Sequence, residues 1–408
     1  MSTAPTSIAD LARAAAPAVP LRVMLFSPHL GQGGADRVIA KLARHLDRRR
    51  FAPALALVRR EGPFLADVPG DVQVHVLGAR RLATSMPALV RLLARERPDV
   101  VFSAGASNIL VSAAHLLARS RARLVLSERS ALHRADRSRA RIAAELPAKR
   151  LTYRRADVIA AVSEGVARDL ADVLGLSPAR IRVVGNPIVD DDLAVLAAAP
   201  VAHPWLAPRA AEPAIVACGR LVEIKDYPTL LDAFSRIRAA RPAKLLVLGD
   251  GPLRGELRAR AGRLGLGDHV DFLGFDKNPF PYLARARLLL HASRAEGLPG
   301  VLIQAMACGT PVVATDCDFG PREVIAAPGR DGFLVPVGDA AALADRALRL
   351  LADDRLRDAV AAEGRRSAQR FGTRAAMERY EAAFSPGGED AGGEDAGAGA
   401  GAGGSRAW

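Results

Sequence analysis

Short apolar runs alternate with amphipathic segments along most of the chain. From Leu21 onward each run is followed by a turn and then by a segment whose apolar positions recur with the helical period. This alternation is typical of parallel sheets covered by helices. The predicted strands of the first half are residues 21–26, 54–58, 72–77, 99–102, 123–127, 157–162 and 181–184, and helices are predicted near 34–46, 86–96, 107–118, 138–150 and 164–173.

A proline-rich and alanine-rich segment interrupts this pattern between residues 187 and 213, which indicates an interdomain linker. The pattern then restarts, with predicted strands at 214–218, 244–249, 269–274, 287–291, 311–315 and 333–337. The sequence therefore predicts an α/β protein with two doubly wound, Rossmann-like domains. A ligand of such a protein binds at the carboxyl ends of the strands, which here points to the cleft between the domains.

The predicted domain organisation follows from these breaks. It comprises a flexible leader (1–20), an N-terminal domain (21–190), a linker (191–212), a C-terminal domain (213–370), a C-terminal helix (371–385) and a disordered tail rich in Gly and Ala (386–408). The uncharged run 100–118 is nearly long enough to span a bilayer. It contains Ser, Asn, Gly and His, so a strand, loop and helix fit it better than a membrane span.

Composition narrows the cellular setting and the classes of partner. Lys and Arg total 57 against 44 Asp and Glu, and only five of the 57 are Lys, so the net charge of +13 reflects either a compositional bias or an anionic partner. The three cysteines form no CxxC spacing, which favours a reducing compartment over disulfides or zinc. The N-terminus lacks a signal-peptide pattern, so we expect a cytoplasmic protein. With 4% aromatic residues and no recognisable binding module, nucleic acid is disfavoured.

The segment 293–315 contains the most informative pattern. A predicted strand ends near residue 291, a Gly/Pro turn follows, and a helix begins near residue 300. The unpaired amides at such a helix start favour phosphate or sugar oxygens. Glu296 in the turn suits the hydroxyls of a sugar, although an exposed loop carboxylate is an equal alternative, and Gln304 could offer its amide to a further hydroxyl. The helix-start amides are those of Gly300, Val301 and Leu302.

Two cations occur in the segment 219–234. Arg220 directly follows a predicted strand, and Lys225 lies in the loop before a predicted helix. A guanidinium and an ammonium converging on one cleft suit a diphosphate. The alternative is that both are solvated loop cations paired with Glu223 and Asp226.

Glycine-rich turns follow two further predicted strands. Gly249 and Gly251 would let a ligand approach the backbone closely. Gly33 and Gly34 place bare backbone at a helix start, suited to a phosphate or a sugar ring. A dinucleotide fingerprint fails there, because Asp36 occupies the place of its third glycine.

Taken in order, these segments resemble the retaining glycosyltransferases of the GT-B fold, a family called group 1 or family 4. The resemblance spans about residues 21–385 and is closest to bacterial enzymes that build polysaccharide or lipopolysaccharide. It implies a hexosyltransferase whose N-terminal domain binds the acceptor and whose C-terminal domain binds a nucleotide sugar of UDP or GDP type, with the C-terminal helix able to cross back to the N-terminal domain. The matching segments are GGADR, NPI, GRLVEIKDYPTLLDAF, LGDGPLRGEL, FLGF, SRAEGLPGVLIQAMACGTPVVATD and GPREVI.

The resemblance also implies residue roles. Arg220 and Lys225 match the pair that binds the donor diphosphate, and Glu296 matches the first glutamate of the E-x7-E motif, which contacts the transferred sugar. Gln304 stands where the family usually has the second glutamate, so ribose binding is expected to be weakened or altered. The remaining donor-site matches are Gly33, Gly34, Gly249, Gly251, Gly274, Phe275 (near the base), Gly300, Val301 and Leu302.

Acceptor contacts are less well defined. Many relatives carry a functional histidine near a strand end of the N-terminal domain, and here the corresponding segment reads LSERSALH. The candidates are His29, Glu128, Arg129 and His133.

The resemblance implies transfer without a protein nucleophile, so the protein contributes positioning and charge stabilisation. No cofactor or metal is expected, because Arg220 and Lys225 supply the countercharge. The acidic clusters at residues 190–192 and at Asp316 and Asp318 are interpreted as solvated turn carboxylates.

Two questions stay open at the level of sequence. Residues 134–155 carry eight basic and two acidic side chains, which fits either contact with the anionic inner face of the cytoplasmic membrane, next to a lipid-linked acceptor, or a solvated helix face. For the activity itself, the alternatives to a transferase are a degenerate relative that binds nucleotide or glycan without turnover, which Gln304 favours, and a nucleotide-sugar epimerase, which the Glu296 pattern disfavours.

Overall fold

The computed structural model describes residues 19–132 and 139–386. It contains two sheets, each with all of its strand pairs parallel, in the orders β3-β2-β1-β4-β5-β6-β7 and β10-β9-β8-β11-β12-β13. The first sheet comprises β1 (Leu21–Ser27), β2 (Phe51–Leu57), β3 (Gln73–Val76), β4 (Val100–Ala104), β5 (Arg123–Glu128), β6 (Val158–Ala161) and β7 (Ile181–Val183). The second comprises β8 (Ala214–Cys218), β9 (Lys244–Leu248), β10 (Val270–Gly274), β11 (Leu288–His291), β12 (Val312–Thr315) and β13 (Phe333–Val335).

Helices connect the successive strands. In the N-terminal half they are α1 (Gly34–His45), α2 (Met86–Glu96), α3 (Asn108–Leu117), α4 (Arg139–Arg155) and α5 (Glu164–Leu174), followed in the linker by α6 (Leu193–Ala198). In the C-terminal half they are α7 (Tyr227–Ala240), α8 (Arg254–Arg263), α9 (Phe280–Arg285), α10 (Gly300–Ala307), α11 (Pro321–Val324), α12 (Ala340–Ala352), α13 (Asp354–Ala368) and α14 (Thr373–Phe384).

The strand orders confirm the predicted fold class of two doubly wound domains. In each sheet the first strand lies in the interior and the chain winds outward from it in both directions, so the strand order reverses between β1 and β4 and again between β8 and β11. The central strands are buried on both faces; Leu25, for example, is 0% exposed. Burial on both faces explains why these strands read as continuous apolar runs. The two reversal points place the ligand cleft between the domains.

The uncharged run 100–118 forms β4, a single 3-10 turn and α3, as predicted. Within residues 19–132 and 139–386, no helix has the length and apolar character needed to cross a membrane. The predicted leader and tail lie almost entirely outside the described residues, and so does His133.

The C-terminal helix packs on the first sheet rather than on the second. The aromatic ring of Phe384 lies 6.2 Å from that of Phe51 and 5.6 Å from that of Phe102, centroid to centroid. Tyr380 is fully buried beside them, with its ring 5.9 Å from Phe102. The chain therefore crosses between the domains twice, once through the linker and once before α14.

Candidate functional site

A cleft of about 630 Å³ lies between the two domains at the carboxyl ends of their central strands. The N-terminal domain contributes the start of α1 and the segment after β5, and the C-terminal domain contributes the turns that follow β8, β9, β10 and β11. The sequence-predicted residues that line it are Gly33, Gly34, Arg129, Arg220, Lys225, Gly249, Phe275, Glu296, Gly300, Val301 and Gln304.

Three titratable side chains converge on one wall of this cleft. Lys225 Nζ contacts Glu296 Oε1, and His291 Nε2 lies 2.9 Å from the same oxygen. The side chains of His291 and Glu296 are 5% and 10% exposed. Because an ionised carboxylate only accepts hydrogen bonds, His291 donates its Nε2–H here. Lys225 is therefore not a solvated loop cation paired with Glu223 or Asp226.

Hydrogen bonds between two neighbouring turns explain why Lys225 and Glu296 meet. Asp226, which is 1% exposed, caps α7 through the backbone amide of Thr229 and accepts a hydrogen bond from Arg294 Nε at 2.9 Å. The Arg294 amide donates to the carbonyl of Ile224 at 2.8 Å. The turn after β8 and the turn after β11 are thus joined on both sides of the Lys225–Glu296 contact.

Glu296 stays ionised although it is buried. Burial raises the pKa of its carboxyl group, but the charge of Lys225 and the hydrogen bond from His291 lower it by more. The pKa consequently lies far below the usual range of a glutamate. The cleft therefore presents a permanent negative charge beside a cation.

Arg220 lines the same cleft, where its charge acts to lower the pKa of the Asp36 carboxyl. Its side chain is exposed in the cleft and makes no ion pair with the residues of 19–132 and 139–386. A guanidinium that is free in the cleft can bind two oxygens of an anionic ligand at once.

The start of α10 opens into the cleft as the sequence predicts, except at Leu302. Gly300 and Val301 line the cleft, whereas the side chain of Leu302 is fully buried and its amide donates to the carbonyl of Pro299 at 3.1 Å. Leu302 therefore offers nothing to a ligand. Gln304 reaches the cleft from the next turn of the helix.

The glycine turn after β9 serves mainly to pack two turns together. A Cβ at Gly249 would lie 2.0 Å from the carbonyl oxygen of Gly219, and one at Gly251 would lie 2.4 Å from that of Leu221. Backbone of the neighbouring turn, not a ligand, fills this space. Gly251 does not line the cleft, so its predicted ligand contact is replaced by a packing role.

Aromatic side chains from both domains line one part of the cleft. Gly274 adopts φ +85° and turns the chain after β10, so that Phe275 lines the cleft while Gly274 itself does not. The ring of Phe275 meets that of Phe64 edge to face at 6.3 Å, and the guanidinium of Arg37 lies 5.1 Å from the Phe64 ring.

The two N-terminal glycines differ in their surroundings. The amide of Gly33 donates to Asp36 Oδ2 at 3.1 Å, whereas a Cβ at Gly34 would meet nothing within 4 Å. Burial raises the pKa of the Asp36 carboxyl, although the Gly33 amide acts in the opposite direction. The open backbone at the start of α1 is therefore at Gly34.

The acceptor candidates separate into different environments. Arg129 lines the cleft and bonds Asn186 and the hydroxyl of Tyr380. Glu128 is buried below the cleft surface, where its Oε2 accepts from the hydroxyl of Tyr153 at 2.6 Å. His29 is half-buried and does not line the cleft. Glu128 and His29 therefore lie away from the cleft.

The domains also touch directly beside Glu296. Ser163 Oγ donates to the carbonyl of Gly297 at 2.8 Å, and a Cβ at Gly297 would lie 2.2 Å from the carbonyl oxygen of Arg129. Glu323 of α11 accepts hydrogen bonds from the amides of Glu164 and Gly165 at 2.9 and 2.8 Å. A carboxylate of one domain thus caps helix α5 of the other.

Several of these residues carry no sequence signal of their own. His291 reads as the last residue of an apolar strand and Ser163 as an ordinary helix cap. Asp226 lies next to Lys225, and the sequence suggested only that the two pair with each other. A long-range partner in another loop cannot be identified from local pattern.

A second, larger cavity of about 940 Å³ borders the linker and α14. Several of its charged side chains pair with one another, as Lys41 does with Asp190 at 2.5 Å and Lys277 with Asp67 at 2.5 Å. Asp316 pairs with Arg322 in the turn after β12. Among the described residues no group of His, Cys, Asp and Glu has the arrangement of a metal site.

Comparison with known proteins agrees with this geometry. A family model described as Glycosyl transferases group 1 matches residues 212–353, and one described as Glycosyltransferase Family 4 matches residues 32–192. The chain belongs to the group 1 glycosyltransferases. This glycosyltransferase is 29% identical over 366 residues to the N-acetylgalactosamine-N,N'-diacetylbacillosaminyl-diphospho-undecaprenol 4-alpha-N-acetylgalactosaminyltransferase of Campylobacter jejuni, covering 85% of this chain and 94% of that protein.

Further relatives support the same assignment. The glycosyltransferase is 28% identical over 341 residues to LpsE of Rhizobium meliloti, a lipopolysaccharide core biosynthesis glycosyltransferase, covering 82% of this chain and 91% of that protein. Anabaena HepE, solved with UDP and glucose, superposes with a TM-score of 0.74 at 21% identity, covering 88% and 98% of the two chains. Sucrose-phosphate synthase of Thermosynechococcus elongatus superposes with a TM-score of 0.72 at 22% identity, covering 88% and 97%. These likenesses establish the GT-B fold, and the family models establish a glycosyltransferase.

Proposed function

We propose that this glycosyltransferase moves a hexose from a UDP-sugar to a lipid-linked saccharide with retention of anomeric configuration. The observation that carries the proposal is the cleft wall where Lys225 and His291 hold the ionised Glu296 while Arg220 remains unpaired beside them. Two cations next to one carboxylate suit a diphosphate joined to a sugar: the cations face the phosphates and the carboxylate faces the hydroxyls.

The proposed reaction needs no protein nucleophile. The acceptor oxygen forms a bond to the anomeric carbon on the face from which UDP departs, as the bond to the β-phosphate oxygen breaks. The acceptor proton passes to that leaving oxygen, so charge and atoms balance. Arg220 and Lys225 stabilise the charge that develops on the diphosphate, and the amides of Gly300 and Val301 add the positive end of a helix dipole. These groups supply the countercharge, and we propose no metal.

A UDP donor is supported by the neighbouring structures and by the form of the cleft. HepE, of the same fold, is solved with UDP-glucose and with UDP and glucose. In this chain Phe275 and Phe64 form an apolar end of the cleft that suits a nucleobase. Gln304 lines the same cleft, and we propose that its amide bonds the ribose diol.

A lipid-linked acceptor is supported by the Campylobacter relative, whose name specifies a diphospho-undecaprenol acceptor. Surface helices α3 and α4 offer a means of reaching such an acceptor at a bilayer. Leu116, Leu117 and Leu151 are 51%, 63% and 66% exposed there. Arg150, Arg154 and Arg155 of α4 are exposed as well. Apolar side chains beside arginines suit an anionic membrane surface.

The membrane contact is tested by co-sedimentation with vesicles of phosphatidylglycerol or of phosphatidylcholine. We expect binding to the anionic vesicles only, reduced at least several-fold by Leu116→Ser together with Leu117→Ser. Val195→Ser, at another exposed apolar position, is the matched control. Equal binding by all three proteins would contradict the proposal.

The donor site is tested by thermal shift with UDP, GDP, ADP and TDP, followed by the matching nucleotide sugars with and without EDTA. We expect UDP to raise the melting temperature by several degrees, unchanged by EDTA, because a ligand that binds only the native state stabilises it. Arg220→Ala and Lys225→Ala abolish the shift, whereas Arg374→Ala, with a side chain 93% exposed on α14, retains it.

The second candidate function, binding without turnover, is favoured by Gln304 alone. The variant Gln304→Glu distinguishes binding without turnover from an active transferase. A carboxylate bonds a ribose diol more strongly than an amide does, by about 1 kcal/mol, so an active enzyme should bind UDP only about fivefold more tightly after the change. Turnover that appears only in the variant would support the degenerate relative instead.

A further inference from the structure

We infer that His291 is a positioning residue that fixes the carboxylate of Glu296 for the transferred sugar. The inference rests on the proposed function, because it assigns the support for the carboxylate that the proposed reaction uses. No sequence motif points to this histidine, and only its contact with Glu296 indicates the role.

The location of His291 suits a rigid support. It is the last residue of β11, an interior strand that pairs with both β8 and β12. Its backbone is held in the ladder opposite Ala314. Glu296, by contrast, lies in the turn that follows the strand. A hydrogen bond from a strand to a turn side chain holds the flexible partner to the rigid one.

Lys225 and His291 share one oxygen of Glu296, and this sharing explains what His291 adds to the contact with Lys225. Lys225 Nζ and His291 Nε2 both bond Glu296 Oε1, and no bond to Oε2 is found among the described residues. One donor alone would leave the carboxylate able to rotate about its contact. Two donors, one from the turn after β8 and one from the end of strand β11, hold Oε1 in place and leave Oε2 available for a sugar hydroxyl.

The same contact affects Lys225. Without His291, Lys225 is the sole described partner of a carboxylate that is 10% exposed, and it still holds Oε1. Lys225 and Arg220 then both remain to face the donor diphosphate, whereas Glu296, which faces the sugar, has lost one of its two donors. Loss of His291 should therefore slow the transfer step more than it weakens binding of UDP.

The test compares wild-type protein with His291→Ala, His291→Gln and His291→Asn. Gln can place its amide nitrogen where Nε2 lies, whereas Asn reaches only the position of Nδ1, so the pair is matched in chemistry and differs in reach. Hydrolysis of UDP-glucose, UDP-galactose, UDP-N-acetylglucosamine and UDP-N-acetylgalactosamine is followed by UDP release, which needs no identified acceptor. UDP affinity is measured by calorimetry, and melting temperatures report folding.

We expect kcat to fall about tenfold or more in the Ala and Asn variants, since a hydrogen bond to a charged group is worth about 1.5–3 kcal/mol. UDP affinity should stay within about twofold, and the Gln variant should recover most of the loss. A purely structural role would instead lower the melting temperature and affect Gln and Asn alike.

The outcomes are distinguishable. Full kcat in the Ala variant, or equal loss in Gln and Asn, would overturn the positioning role while leaving the transferase intact. Wild-type protein that binds UDP yet releases none from any of the four sugar nucleotides would overturn the proposed reaction, and the role of His291 with it.

Discussion

At the scale of single residues, the site depends on one buried carboxylate that remains charged. Glu296 is held by Lys225, from the turn after β8, and by His291, the last residue of strand β11. Neither donor is adjacent to Glu296 in sequence, so each turn must be in place before the carboxylate is stabilised. The charge at the site and the local fold are therefore mutually dependent.

Lys225→Met tests this dependence through pH. In the wild-type protein the lowered pKa of Glu296 contributes stability above the unfolded-state value of about 4.3, and this contribution is lost as pH falls. In the variant burial dominates and raises the pKa, so that the native state binds more protons and gains stability as pH falls. We expect a deficit of about 2 kcal/mol at pH 7 that shrinks toward pH 4, measured by urea unfolding.

The matched control is Lys277→Met, which removes a lysine whose side chain is 40% exposed beside Asp67. Its cost should be below about 1 kcal/mol. A deficit for Lys225→Met that stays constant between pH 7 and pH 4 would show that the lysine does not set the ionisation of Glu296.

The position of a predicted site residue could be derived from sequence where that position depends on local chain geometry. Gly300 and Val301 could be located because a strand, a turn and a helix start are visible in sequence. Leu302 could not be excluded from the ligand-binding amides by sequence, since the hydrogen bond from its amide to the Pro299 carbonyl depends on how the first turn of α10 closes. His291 was missed because its partner is reached only after the turn folds back.

At the scale of elements, helix α14 is separated in sequence from the domain that it completes. Its aromatic face enters the core of the first sheet, where Phe384 and Tyr380 are fully buried. Arg129 Nη1 also donates to the Tyr380 hydroxyl at 2.8 Å, which links this helix to a residue of the cleft. The end of the chain therefore supports both the N-terminal core and the cleft.

Phe384→Ala should destabilise the N-terminal domain by about 3–5 kcal/mol, because it leaves a cavity beside Phe51 and Phe102. The measurement is urea unfolding followed by circular dichroism. Arg374→Ala on the exposed face of the same helix should change little. Equal stability of the two variants would mean that α14 does not pack on the first sheet in solution.

The elements themselves were largely predictable, for physical reasons that differ between them. Each predicted strand matches an observed one, and for the central strands the reason is that burial on both faces needs a continuous apolar run. The linker contains the short helix α6, which its proline-rich surroundings obscure. The crossing of α14 back to the first sheet was implied by the family resemblance, but it could not be derived from the apolar pattern alone, because an apolar helix face is compatible with either sheet.

At the scale of the whole molecule, the relative position of the domains depends on a small set of contacts. Lys277 of the C-terminal domain pairs with Asp67 at 2.5 Å, and its carbonyl accepts from Arg37 Nη2 at 2.7 Å. Phe64 and Phe275 meet beside them. The repeated pattern in the sequence predicts two domains, but these individual pairs decide how the domains face each other.

Lys277→Glu should weaken the closed arrangement by placing a carboxylate against Asp67. We expect a larger radius of gyration by X-ray scattering and UDP binding weakened about threefold to tenfold, because the binding-competent form becomes less populated. The double variant Asp67→Lys with Lys277→Glu restores the attraction and should reverse both changes. An unchanged radius in the single variant would show that this pair does not hold the domains together.

The contact at Gly297 leaves no clearance between the domains. The carbonyl oxygen of Arg129 lies only 2.2 Å from where a Cβ at residue 297 would be placed, and both are tied to backbone. One added methyl group at residue 297 would therefore hold the N-terminal and C-terminal domains apart by steric overlap, without altering any charge in the cleft. The resting enzyme could in this way be captured with its entrance open, and the path by which substrates enter would become visible.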